Sequence, residues 1–95
     1  MAQVITWIQS SWIGNMAPGD VHGWVAFGGL QFGDVITIMA HPVVGDPNAQ
    51  ERVLQVENVR AEGTSDGTRR ILYSVRNPGP EWIPGYSKTY IMLRP

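Results

Sequence analysis

The residues best equipped for chemistry gather in Asp20-Val21-His22-Gly23-Trp24, a carboxylate, an imidazole and an indole within five positions. In an extended chain Asp20 and His22 leave the backbone on the same face, a spacing that can serve zinc or another metal. A metal site needs a third ligand from a separate segment, and none can be assigned from sequence, so no metal or other cofactor is expected. His41, the only other histidine, stands before Pro42 and reads as a turn residue. The second group is Trp82 and Tyr86 in the segment EWIPGYS. Trp82 lies between Pro80 and Pro84, in a loop too constrained to enter a core, and is expected to be exposed. An exposed ring can stack on the apolar face of a sugar, with Asp and His supplying hydrogen bonds. The candidate ligand-binding residues are therefore Asp20, His22, Trp24, Trp82 and Tyr86.

Four tryptophans, at 7, 12, 24 and 82, are many for 95 residues. One or two fill the core of a small sandwich. Each indole N–H also needs a partner, so at least one ring is expected at a surface or subunit interface. Catalysis finds no support. The chain has no cysteine, which removes disulfides, thiolate metal sites and Cys nucleophiles together. It has no GxSxG, HExxH or Walker-type motif, and Phe27–Gly33 is glycine-rich but opens no helix that could cradle a phosphate. No catalytic residue is assigned.

The charge is sparse and balanced, with seven basic and eight acidic residues and a formal net charge of −1. No basic stripe could neutralise phosphates, which argues against nucleic acid, and no basic amphipathic helix points to a membrane. Arg60, Arg69 and Arg70 form the one basic cluster and read as solvated strand-edge residues that discourage edge pairing. The N-terminal segment lacks the pattern of a signal peptide, so the expectation is a cytoplasmic protein or one exported without a leader.

These groups must be positioned by strands, since no window carries a 3.6-residue apolar repeat free of Gly and Pro. The organising stretch is Glu51–Gly79, in which Leu54 and Val56 alternate with Gln55 and Glu57, and Ile71, Tyr73 and Val75 with Leu72, Ser74 and Arg76. An Asp66-Gly67 turn is expected to join the two strands, and Pro78 and Pro80 to end the second. Further strands are predicted over residues 3–13, Val21–Phe27, Val35–Ala40 and Lys88–Leu93. Val35–Ala40 is nearly all apolar and is expected to be a central strand buried on both faces. The terminal strands are expected at sheet edges. The prediction is one all-β domain over residues 1–95, a single antiparallel β-sandwich of six to eight short strands with little or no helix. Its predicted core is Ile5, Val25, Phe27, Val35, Ile36, Ile38, Leu54, Val56, Ile71, Tyr73, Val75 and Ile91.

Two local resemblances agree with that fold. The pattern Leu54-x-Val56-x-Asn58-Val59 with Ile71–Gly79 resembles the central strand pair of immunoglobulin- and fibronectin-like bacterial modules. Gly33–Ile38 is similar to a strand of the small galactose-binding bacterial lectins. Those lectins hold calcium with Asp and Asn near the C-terminus. YSKTYIMLRP has no such run, so neither calcium nor that binding site is carried over. The resulting expectation is a non-catalytic binding module for carbohydrate, working as a small homo-oligomer, dimer or tetramer. The alternative is a structural or assembly module that meets other protein chains through aromatic faces. Self-association is expected because the terminal strands carry apolar residues on both faces, and one face of each must meet water or a partner.

Overall fold

The computed structural model describes residues 3–26, 30–42, 52–63 and 69–94, and for residues 7–11 the backbone alone. Six strands lie in this part: β1 (Gln3–Met16), β2 (Val21–Ala26), β3 (Val35–Pro42), β4 (Gln55–Gly63), β5 (Arg69–Arg76) and β6 (Ile83–Arg94). They form two three-stranded antiparallel sheets, β1–β6–β3 and β2–β5–β4. The sheets stack face to face, and no helix occurs among the described residues. The predicted all-β sandwich is the observed fold.

The inner faces follow from period-two alternation. On β6, Tyr86, Lys88, Tyr90 and Met92 point inward and are buried, while Ile91 and Leu93 point out. On β5, Ile71, Tyr73 and Val75 answer them from the other sheet. Ile38 and Ala40 of β3, Ala26 of β2 and Met16 of β1 complete the buried core, with Ile36, Leu54, Val56, Trp12 and Trp24 packed against it. The hydroxyls of Tyr73 and Tyr90 bond to each other across the gap, their rings edge to face at 5.9 Å between centroids. One hydroxyl donates to the other, so each buried phenol has a hydrogen-bond partner across the gap.

Several sequence expectations are corrected. β3 is an edge strand, and Val35, Thr37 and Met39 on its outer face are exposed. The central strand of that sheet is β6, the C-terminal one, paired with β1 on one side and β3 on the other. It begins at Ile83, so Pro84 lies within a strand rather than a loop. Val25, Val35 and Ile91 are exposed and leave the core list, since each falls on the outward phase of its strand. Arg69 and Arg70 are on β5, the middle strand of its sheet, and Arg70 pairs with Glu62 across the ladder instead of guarding an edge. Phe27 and the Asp66-Gly67 turn lie outside the described residues.

Candidate functional site

Three of the five sequence candidates meet in one cluster. β1 and β2 are edge strands of opposite sheets, and Trp12 of β1 touches His22 of β2, with ring centroids 4.5 Å apart. Behind them stands Tyr86 of β6, fully buried. Its hydroxyl accepts the Trp24 Nε1–H at 2.8 Å and lies 2.7 Å from His22 Nδ1. A phenol that already accepts the indole proton has its own proton to give, so the satisfied arrangement runs Trp24 to Tyr86 to His22. Burial raises the Tyr86 pKa, against the lowering effect of the Trp24 bond, and keeps the phenol protonated.

Lys88 completes the cluster, and sequence reasoning missed it. It is the only lysine in the chain and is 1 % exposed. Its Nζ lies 3.0 Å from the centroid of the Trp24 ring, a cation–π contact. Among the described residues no carboxylate pairs with it. Removal from water lowers its pKa to about 8. The signal was present in the sequence: Lys88 shares the phase of Tyr86, Tyr90 and Met92, the inward phase of β6.

The other two candidates sit apart from these contacts. The Asp20 carboxylate accepts the Ala17 N–H at 2.9 Å and closes the turn between β1 and β2. Trp82, 57 % exposed, precedes β6 in the loop that Asn77 organises. Asn77 is buried, donates to the Met16 and Glu81 carbonyls and accepts the Gly79 N–H. Among the described residues no group of three or more His, Asp or Glu side chains is placed to hold a metal. The inner cluster therefore offers a ligand little: Tyr86 and Lys88 are enclosed, and their polar neighbours engage one another.

The accessible feature is the outer face of the β1–β6–β3 sheet. Register places Val4, Leu93 and Val35 in one row across the strands, and Thr6, Ile91 and Thr37 in the next. Thr89 and Met39, then Ser87 and His41, continue the same face. Val4, Val35, Met39, Ile91 and Leu93 are between 41% and 65% exposed, and no charged side chain interrupts these positions. Thr37, Met39, His41, Thr89 and Ile91 line a shallow depression of about 220 Å³. The opposite broad face differs. There Arg76 pairs with Glu57 and Arg70 with Glu62 between β5 and β4, as water-facing side chains of a sheet commonly do.

Comparison with protein-family models, curated proteins and solved structures gives no significant match. The resemblances to immunoglobulin-like modules and bacterial lectins thus stand on their local motifs alone.

Proposed function

We propose that this chain is a non-catalytic assembly module that engages protein through the outer face of the β1–β6–β3 sheet. The asymmetry of the two broad faces carries the reading. The faces differ in charge: one carries cross-strand ion pairs beside the exposed Val21 and Val25, while the other shows five large apolar side chains and no charge at its described positions. Apolar area of that kind is worth about 25 cal/mol per Å² when covered, and a contiguous patch of it marks an interaction surface. The face differs from the sequence expectation in one respect, since its exposed side chains are aliphatic and not aromatic. Photo-crosslinking tests the reading: benzoylphenylalanine at position 91, in the cells that make the protein, is expected to give protein adducts, and their absence overturns it.

Carbohydrate binding is the second reading, favoured by the exposed Trp82 ring beside the Asn77 loop. A glycan array separates the two. Binding that Trp82→Ala abolishes would establish the sugar reading, and an array blank at high protein concentration would remove it.

A further inference from the structure

We infer that the partner on this face is a second copy of the chain, packed face to face about a twofold axis; this rests on the assembly reading above. Charge complementarity makes the first argument. A face with no charged side chain at its described positions calls for a surface equally free of charge, and the molecule carries such a surface in the face itself. Its other broad face holds the Arg76–Glu57 and Arg70–Glu62 pairs, so head-to-tail stacking would bury four ions against aliphatic groups. Head-to-head packing avoids that, and a self-complementary face closes the assembly at two.

The area makes the second argument. The ten described positions, on strands about 4.8 Å apart and in rows about 6.8 Å apart, project to roughly 330 Å² per copy. Two copies cover roughly 650 Å² in projection, and more over rounded side chains, the size of a weak, reversible contact. The depression between Met39 and Ile91 supplies the interlock, since its about 220 Å³ accommodates an aliphatic side chain from the facing copy. The corner of the face is held rigid: Arg94 grips Asp34 with two bonds, at 3.0 and 2.9 Å, and Gln31 N–H donates to the same carboxylate. A preformed sheet face loses little freedom on docking.

Sedimentation equilibrium from 1 to 200 µM on the purified chain decides the matter. The expected species is twice the 10.5 kDa protomer. Ile91→Glu, at an exposed position, is expected to weaken the dimer at least 50-fold with unchanged circular dichroism. Thr37→Arg provides a second, independently placed charge should the first variant fold poorly. Ser74→Glu, on the ion-paired face, is expected to leave the dimer intact. A monomer throughout the range, or a dimer indifferent to both Ile91→Glu and Thr37→Arg, overturns the inference. The crosslinking experiment keeps this failure distinct from failure of the assembly reading. Adducts only with a different polypeptide would retain the assembly function and exclude the second copy, whereas no protein adduct would remove both.

Discussion

At the residue scale the decisive group is Lys88, an amine enclosed between two sheets with an indole as its described contact. Its pKa of about 8, against an ordinary 10.5, means that the folded chain releases this proton first. Between those two values the unfolded chain holds more protons, so stability rises with pH across the window. The shift corresponds to roughly 3 kcal/mol, an upper figure because relaxation and the indole contact soften it. Tyr73, Tyr86 and Tyr90 oppose the rise at higher pH. Burial pushes all three up, so above about pH 10 the unfolded chain ionises first and stability falls. Urea titrations at a series of pH values should therefore find maximal stability near pH 10, and a flat profile from pH 7 to 10 would contradict it. Lys88→Met supplies the matching test. Replacing a buried charge that no described carboxylate pairs by an apolar side chain of similar length should stabilise the protein by about 1–3 kcal/mol at pH 7 and remove the alkaline rise.

The turn at the end of β5 and the close approach of β1 to β6 belong to the scale of elements. Asn77 joins three segments: its side chain donates to Met16 and Glu81, and its backbone bonds with Gly19 and Asp20. Asn77→Ala leaves one buried and one part-buried carbonyl without this donor and should cost about 2–3 kcal/mol in denaturant unfolding. Gly85 sits in β6 where a Cβ would stand 2.7 Å from the Trp12 carbonyl oxygen. A backbone atom cannot move aside as a side chain can. Gly85→Ala should therefore lower stability by about 1–3 kcal/mol and disturb the β1–β6 ladder, visible as faster amide exchange in Trp12 and Ile13. The irregularities of β1 between Gln9 and Trp12 and between Ile13 and Met16 fall beside this glycine. Ser10 and Ser11 are the residues that fall within the first of these irregularities. The bulge of β4 between Glu57 and Arg60 did not announce itself, although Asn58 there takes φ 56°, a conformation that asparagine tolerates better than most residues.

The whole molecule is a sandwich with one ion-paired broad face and one free of charge at its described positions, and its association state links to its stability. If two copies meet as inferred, the folded dimer is favoured by mass action. The melting temperature should then rise with concentration by roughly 3–5 °C per tenfold, and stay constant for Ile91→Glu. Differential scanning calorimetry over two decades of concentration measures this directly. The resting position of the candidate groups is also a property of the whole. His22, Trp24 and Tyr86 belong to β2 and β6, in different sheets, and only the stacking of those sheets turns a binding-like set of residues into a mutually satisfied seam.

By itself the sequence determined the class of fold and the position of most strands, because alternation of side chains and the φ restriction of proline act within a few residues. It also determined which β5 residues face inward, Ile71, Tyr73 and Val75. Strand order was beyond its reach. Val35–Ala40 and Lys88–Leu93 both carry apolar groups on two faces, and a local pattern does not record which of them gains neighbours on both edges. Only pairing over long separations made β6 central and β3 an edge. The stacking of the two sheets likewise set which phase of β6 is enclosed, burying Lys88 and leaving Ile91 exposed.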